Sequence, residues 1–163
     1  MYHLITIWLL IVTSLMGCEP SQQKQENLAI QAEKNSTEGK AFLEKNSSRP
    51  DIITTKSGLQ YRIIEAGGGI TPAEKGIVEV HYVGRFLDGT EFDSSVRRGM
   101  PAQFGVTQVI PGWTEALKLM SEGSRWELFI PSDLAYGPKG KGSIGPNVVL
   151  VFEVELLKAN ISG

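Results

Sequence analysis

The sequence predicts an α+β domain in which short antiparallel strands pack on one amphipathic helix, and three observations lead to this prediction. Several segments alternate apolar and polar residues with the period of two that marks a half-buried strand. One segment carries an apolar stripe at helical spacing. Eighteen glycines and eight prolines in 163 residues indicate many turns, and therefore short strands instead of a helical bundle.

Five segments are strand candidates, either because their apolar residues alternate with polar ones or because turn signals bound them. In one of them Val78, Val80 and Tyr82 share a face, and the turn sequence Asp88-Gly89 follows it. The five candidates are residues 59–64, 78–83, 91–93, 125–130 and 148–157.

One further segment, residues 111–120, predicts a helix that packs on these strands. Pro111 stands at its start and Gly123 lies just beyond its end, and these residue types are favoured at those places. An apolar stripe at i, i+3, i+4 and i+7 consists of Trp113, Ala116, Leu117 and Met120.

Charge and composition exclude several classes of function. Sixteen basic against eighteen acidic residues give a formal net charge of −2, so the chain lacks the basic surface of a nucleic-acid-binding protein. One cysteine, Cys18, excludes an intramolecular disulfide and a cysteine metal cage. His3 and His81 are too separated for a histidine-rich metal site. We therefore predict no metal, no cofactor and no nucleic-acid partner.

Residues 1–17 are predicted to be a lipoprotein signal peptide. The apolar run at 4–12 has the length of a signal-peptide core and is too short to span about 30 Å of hydrocarbon. The sequence LMGC at 15–18 resembles the bacterial lipobox, in which cleavage precedes a cysteine that carries lipid. Acylated Cys18 would hold the chain on a membrane, and Glu19 after it favours the outer membrane. The alternatives are an ordinary cleaved signal, or an apolar anchor with a coincidental cysteine.

Residues 18–50 predict a flexible polar tether, so the folded domain is expected to span residues 51–163. The tether is rich in Gln, Glu, Lys, Asn and Ser and carries too few apolar residues to offset the entropy of ordering. Its few apolar groups support a helical turn or two, below the ~12–15 residues that an isolated helix needs. We therefore expect no long N-terminal helix and a monomeric protein.

Familiar enzyme motifs are absent, whereas aromatic residues are spread over six predicted elements. The chain has no GxSxG, GxxxxGK[ST] or HExxH motif and no GxGxxG after a strand. The six aromatic residues are Tyr82, Phe92, Phe104, Trp113, Tyr136 and Phe152. They either build the core or line a pocket. The tyrosines favour the pocket, because a buried hydroxyl needs a partner and tyrosines are common where a pocket meets water.

Five sequence motifs follow one another along the predicted domain. They are VHYVG at 80–84, DGTEFDSS at 88–95, VIPGW at 109–113, IPSDLAYG at 130–137 and LVFEVELL at 150–157. In this order and spacing, over residues 57–158, the chain resembles the FKBP-type peptidyl-prolyl cis-trans isomerases. GKAFL at 39–43 and SGLQY at 57–61 are similar to the bacterial branch that contains macrophage infectivity potentiator. The resemblance implies a five-stranded antiparallel sheet wrapped around one helix, with a proline-binding pocket between them.

The resemblance also implies which residues form this pocket. Trp113 would be the floor under the proline ring, Tyr82, Phe92 and Phe152 would be walls, and Asp93 at the rim would orient Tyr82. The implied catalytic residues are Tyr82, Phe92, Asp93, Trp113, Tyr136 and Phe152. The implied substrate-binding residues are Phe104, Val109, Ile110 and Ile144.

The activity that the resemblance implies is rotation about X-Pro bonds, with the Ile110 N–H and the Tyr136 hydroxyl donating to substrate carbonyls. The implied partners are proline-containing polypeptides, tacrolimus or rapamycin in the same pocket, and a membrane reached through lipidated Cys18. The place would be the bacterial envelope, on the outer membrane and facing the periplasm or the surface. Two other functions stay open: a non-catalytic binding module or holdase, and a surface adhesin or virulence lipoprotein with incidental activity.

Two stretches depart from the pattern of the small family members. Ala102 stands where those members carry an aromatic pocket wall, which is expected to loosen ligand contacts without abolishing turnover. Residues 138–146 differ in length and charge, and their three glycines and two lysines predict a mobile cationic flap.

Overall fold

The structure, a computed structural model, describes residues 20–161 of the chain. Seven strand segments and three α-helices lie within these residues. Two short 3₁₀ turns, Ser132–Leu134 and Gly137–Lys139, lie between the last two strands. The elements in chain order are α1 (Pro20–Ser47), β1 (Ile53–Thr54), β2 (Gln60–Glu65), β3 (Ile77–Arg85), β4 (Glu91–Ser94), α2 (Ser95–Arg98), β5 (Ala102–Gly105), α3 (Pro111–Leu119), β6 (Arg125–Ile130) and β7 (Leu150–Lys158).

All strand pairings in this sheet are antiparallel, in the order β1-β2-β6-β7-β3-β4 with β5 also on β3. The strands β4 and β5 pair with opposite ends of β3, so they occupy one position that α2 interrupts. The sheet therefore has five full positions and a two-residue edge strand, β1. The predicted α+β fold, a five-stranded antiparallel sheet on one helix, is confirmed.

The core lies between the sheet and α3, as the periodicities predict. Alternate residues of β3 and of β7 are buried, and so are Trp113, Ala116 and Leu117 on α3. Gly112 allows α3 to approach β6 closely, because a Cβ there would lie 2.5 Å from Ile130 Cγ2. This close approach places the first turn of α3, with Trp113, directly against the sheet.

The N-terminal segment differs from its prediction, because α1 is a 28-residue helix where the sequence analysis expects a flexible tether and no long helix. Residues 21–31 of this helix are exposed. The following turns meet the domain along one face at helical spacing, through Ala32, Asn35, Ser36, Gly39, Phe42, Leu43 and Asn46, all partly or fully buried.

Polar packing explains why a segment with few apolar residues is ordered. Asn46 and Gln60 are each 4 % exposed, and Asn46 Nδ2 donates to Gln60 Oε1 over 2.9 Å. Gln60 Nε2 in turn donates to the Leu43 carbonyl over 2.9 Å. The Phe42 ring packs on Phe129 with centroids 5.8 Å apart. The prediction counted apolar residues only, and so it missed the stabilisation that these satisfied buried amides supply.

The residues that are predicted to attach the chain to a membrane lie outside the described residues. The predicted signal peptide and Cys18 both lie there. Within residues 20–161 no helix combines the length and the apolar character that crossing a membrane requires.

Candidate functional site

One cavity of about 390 Å³ brings together nine of the ten predicted site residues. The lining comes from strands β3, β4, β5 and β7 and from the first turn of α3 with the residues just before it. The segment between β6 and β7 supplies the rest. The nine are Tyr82, Phe92, Asp93, Phe104, Val109, Ile110, Trp113, Tyr136 and Phe152. Ile144, the tenth, lies outside this lining and is part of the hydrophobic core, 9 % exposed. The role of each residue stays a prediction.

The Trp113 indole forms one side of the cavity, and three aromatic rings stand almost perpendicular to it. Tyr82 and Phe152 each have their centroid 5.3 Å from that of Trp113, at interplanar angles of 87° and 85°. Phe104 lies 5.7 Å away at 83°. Such edge-to-face pairs are favoured by aromatic quadrupoles and hold the rings in fixed orientations. The result is an aromatic recess beside the indole, within a cavity of about 390 Å³.

The six aromatic residues both build the core and line the recess, so the two interpretations of them are compatible. Tyr82, Trp113 and Phe152 belong to the buried core, while the other three pack against it partly buried. Phe92 extends the wall, since its ring meets Phe152 edge to face with centroids 5.5 Å apart.

A charged pair fixes the hydroxyl of Tyr82 at the rim. Tyr82 Oη donates to Asp93 Oδ2 over 2.6 Å. Arg98 Nη2 donates to Tyr82 Oη over 2.8 Å, Arg98 Nη1 donates to Asp93 Oδ1, and the guanidinium carbon lies 5.5 Å from the Tyr82 ring centroid. Three groups therefore form one closed network at the mouth of the cavity.

Burial and hydrogen bonding act in opposite directions on Asp93. Burial raises the pKa of the carboxyl, but the hydrogen bonds from Tyr82 and Arg98 and the Arg98 charge outweigh it, so the pKa lies below its ordinary value. The pKa of the Tyr82 hydroxyl is raised, first by burial and then by its bond to Asp93. Asp93 is thus ionised and Tyr82 protonated at neutral pH.

Sequence reasoning missed Arg98, because a local turn brings it to the site. Ser94 accepts a hydrogen bond from the Arg97 N–H over 3.0 Å and caps α2. Gly99 ends that helix in the left-handed conformation, at φ 72°. This single turn carries Arg98 back over Asp93, five residues earlier. A lone arginine at this spacing has no recognisable signal unless α2 is known.

Several hydrogen-bond donors at the cavity have no acceptor within residues 20–161, and the buried Trp113 Nε1–H is one of them. Two others are the Ile110 backbone N–H, which precedes the first turn of α3, and the Tyr136 hydroxyl. Burial raises the pKa of Tyr136, and the charge of Asp93 adds to this effect, so its hydroxyl stays protonated. Both donors are available to carbonyl oxygens of a bound molecule.

Two further lining residues, Gln108 and Lys141, were not among the predicted site residues. Lys141 belongs to residues 137–149, which we call the pocket loop, and its Nζ lies 5.5 Å from the Tyr136 ring centroid. The positive charge of this loop is evident in the sequence, but its position at the cavity is not. No group of three His, Cys, Asp or Glu suited to a metal ion occurs in the described part of the chain.

Taken together, the cavity can hold a small apolar ring against the indole and hydrogen-bond two carbonyl oxygens beside it. The aromatic recess excludes water around that ring. The Asp93–Arg98 pair lies at the rim, with both side chains partly exposed to solvent.

Comparisons with known proteins agree with this geometry. The family described as FKBP-type peptidyl-prolyl cis-trans isomerase matches residues 68–157. A second family, described as the domain amino terminal to FKBP-type peptidyl-prolyl isomerase, matches residues 11–63 and so includes α1.

Two bacterial proteins are among the relatives of this chain. The outer membrane protein MIP of Legionella longbeachae is 54 % identical over 127 residues, 77 % of this chain and 54 % of the relative. The FKBP-type 22 kDa peptidyl-prolyl cis-trans isomerase of Escherichia coli is 57 % identical over 122 residues, 74 % of this chain and 59 % of the relative. The chain thus spans little more than half the length of these relatives.

Two solved structures superpose on the fold. The crystal structure of FkpA from Escherichia coli has a TM-score of 0.82 at 42 % identity and covers 85 % of this chain and 65 % of its own. A peptidyl-prolyl cis-trans isomerase from Pseudomonas syringae has a TM-score of 0.74 at 38 % identity, with 80 % of this chain and 96 % of its own covered. The motifs, the fold and the aromatic cavity all lead to one conclusion: the chain belongs to the FKBP-type peptidyl-prolyl cis-trans isomerase family.

Proposed function

We propose that the chain is a peptidyl-prolyl cis-trans isomerase that binds X-Pro segments in the aromatic cavity. The observation that supports this most is the recess over Trp113, with three rings perpendicular to the indole and two free donors at its edge. A proline residue carries a small apolar ring that is part of the backbone, and two peptide carbonyls flank it.

Rotation about the X-Pro bond faces a barrier of about 18–20 kcal/mol, because amide resonance must be broken. The planar amide is more dipolar than the twisted transition state, so water stabilises the ground state more. An apolar recess removes that solvation and binds the twisted form better, which is differential binding of the transition state. A rate gain on the order of 10⁴-fold requires about 5–6 kcal/mol, and desolvation with two oriented hydrogen bonds is adequate for that.

Five residues of the cavity have a proposed part in this reaction. Trp113 supports the proline ring, and Tyr82 with Phe152 keeps water from the amide. The Ile110 N–H and the Tyr136 hydroxyl donate to the carbonyls on either side of the proline. An apolar residue before the proline is the expected preference, because the walls around that position are apolar.

An isomerisation assay on the full chain tests the proposal, with Leu-Pro and Phe-Pro peptides as substrates. We expect acceleration over the uncatalysed exchange, which takes about 10–100 s, and a fall in kcat/KM in Trp113→Leu and Tyr136→Phe. Tyr61→Phe is the matched control, because Tyr61 stacks on Trp126 with centroids 4.4 Å apart and is outside the cavity lining. A folded wild type without acceleration would contradict the proposal.

That negative result would favour the second candidate, a binding module or holdase that uses the same cavity without catalysis. The two candidates differ in turnover and share peptide binding. The third candidate, a surface adhesin or virulence lipoprotein, is tested separately by protease shaving of whole cells, since only a surface-exposed chain is cleaved.

Tacrolimus and rapamycin are proposed ligands of the same cavity. The support is family membership and the aromatic lining, which suits a large apolar ring system. Titration followed by the fluorescence of Trp113 measures the affinity, and Trp113→Leu controls for signal from the other two tryptophans. Competition with a Leu-Pro peptide shows whether the macrolide and the peptide share one site.

We propose further that lipid on Cys18 holds the chain in the bacterial envelope, at the outer membrane. The LMGC sequence supports this, as does the outer-membrane name of the Legionella relative. Metabolic labelling with palmitate, with Cys18→Ser as the control, is the test. Label in the Cys18→Ser variant, or none in the wild type, would contradict the proposal.

A further inference from the structure

The hydrogen bonds of the pocket loop, residues 137–149, run mainly within the loop itself, and Ile144 packs into the hydrophobic core. Lys141 and Ile144 exchange two backbone hydrogen bonds of 2.8 and 3.0 Å, and the Asn147 N–H donates to the Gly137 carbonyl over 2.9 Å. The loop follows Tyr136 and contributes Lys141 to the cavity lining, so its position shapes one side of the site.

Among the described residues, the two hydrogen bonds that join this loop to other parts of the chain both go to α1. Asn35 Nδ2 donates to the Pro146 carbonyl over 2.7 Å. Asn147 Nδ2 donates to the Ala32 carbonyl over 3.2 Å. The first bond is donated by the helix and the second by the loop. The bonded residues are 111 and 115 positions apart in sequence.

Neighbouring residues of α1 prepare this contact. Gln31 Nε2 donates to Asn35 Oδ1 over 2.7 Å, which leaves the Asn35 amino group to face the loop. Gly39 lets the helix come close to the end of the loop, because a Cβ there would lie 2.7 Å from Val149 Cγ2. Asn147 adopts φ 55°, a left-handed conformation that asparagine tolerates better than most residues.

We propose that α1 is a positioning element for the substrate site, acting through Asn35 and Asn147 on the pocket loop. The proposal rests on the proposed isomerase function. By fixing residues 146 and 147 at the base of the loop, α1 keeps the Tyr136–Lys141 side of the cavity in its binding conformation. Neither asparagine touches the cavity, so both act through the loop and not on the substrate.

The test compares Asn35→Ala with Asn27→Ala in the full chain. Asn27 is the matched control, because it lies on the exposed part of α1 and its side chain accepts a hydrogen bond from Gln23 on the same helix, with no bond to the pocket loop among the described residues. Steady-state kinetics with a Leu-Pro peptide are measured beside amide hydrogen exchange at Ile144 and Asn147. For Asn35→Ala we expect KM to rise by roughly three- to tenfold, the factor that one lost hydrogen bond gives, with kcat changed less. The two loop amides should exchange faster, and those of β3 and β7 at the wild-type rate.

A second variant, Asn147→Gly, removes the other bond while keeping a residue suited to φ 55°, and the same changes are expected. Wild-type KM in both variants would overturn the proposal, even if the loop amides exchanged faster, because the loop would then be held by α1 without shaping the site. A wild type without turnover would instead overturn the proposed function, and this proposal with it.

Discussion

Asp93 shows how much one side chain can organise at the mouth of this cavity. Its two carboxylate oxygens bind different partners, the Tyr82 hydroxyl and the Arg98 guanidinium, and these partners also bind each other. The charge adds to burial in raising the pKa of both the Tyr82 and the Tyr136 hydroxyl, and a tyrosine hydroxyl is already protonated at neutral pH. Asp93 therefore accepts hydrogen bonds at the site as a carboxylate, without taking or giving a proton itself.

The lowered pKa of Asp93 makes its contribution to stability depend on pH. A carboxyl whose pKa is lower in the folded than in the unfolded chain stabilises the fold above the unfolded value, about 3.9, and this contribution is lost as the pH falls through the folded value. We expect the free energy of unfolding of Asp93→Asn to lie below that of the wild type by a constant amount above about pH 5. The difference should shrink as the pH falls below about 4. Urea unfolding between about pH 2.5 and about pH 7 measures the difference in the free energy of unfolding. A difference that does not depend on pH would contradict the lowered pKa of Asp93.

Arg98 is predicted to matter more than its neighbour Arg97. Arg98→Ala removes a donor to Tyr82 and the cation over its ring, so we expect kcat/KM for a Leu-Pro peptide to fall by roughly three- to tenfold. Arg97→Ala is the control, because Arg97 is exposed and its side chain pairs with Glu91 at 2.9 Å. This ion pair is not part of the network of Asp93, Tyr82 and Arg98. Equal kinetics for the two variants would show that the guanidinium of Arg98 has no part in orienting Tyr82.

At the scale of elements, α1 and α3 are helices for different reasons. The helix α3 follows from its own sequence, since its buried residues Trp113, Ala116 and Leu117 lie on one stripe. The helix α1 has no apolar stripe of comparable width, and its contacts with the domain are largely amides and small residues. Its order is therefore a property of the domain against which it packs.

The buried hydrogen bond between Asn46 of α1 and Gln60 of β2 is expected to contribute more to stability than the exposed residues of α1. Asn46→Ala leaves Gln60 Oε1 without its donor in a site that is 4 % exposed, so the free energy of unfolding should fall by about 1–3 kcal/mol. Asn27→Ala, on the exposed part of the same helix, should change it by less than about 0.5 kcal/mol. Thermal or urea unfolding followed by circular dichroism compares the two. Similar losses in both would mean that the buried pair contributes no more to stability than an exposed asparagine of α1.

For the whole molecule, the prediction of a monomer needs a new argument, because its original reason, the absence of a long N-terminal helix, is wrong. Within residues 21–31 of α1 the large exposed apolar side chains are Leu28, 51 % exposed, and Ile30, 61 % exposed. Two residues apart on a helix they point to nearly opposite sides, so they do not form the continuous stripe that helix pairing requires. We still expect a monomer at micromolar concentration by light scattering. A dimer would contradict this expectation, and its dissociation by Leu28→Ser and Ile30→Ser would show that the interface includes α1.

The sequence by itself determined the elements whose residues repeat with a period of their own. The alternation of β3 and β7 and the stripe of α3 depend on neighbours along the chain, so they were readable before any contact was known. Nine of the predicted site residues also lie at one cavity, but their selection came from the resemblance, because spacing alone left core and pocket both open.

Only the tertiary structure decided which distant residues meet. The ring centroids of Tyr82 and Trp113 lie 5.3 Å apart because the sheet wraps around α3. Arg98 contacts Asp93 because α2 reverses the direction of the chain between them. Asn35 and Pro146 meet because α1 lies along the pocket loop, while Ile144 turns into the core. These contacts involve single polar or apolar groups with no periodic signal, and their energies exist only once the fold has removed both partners from water.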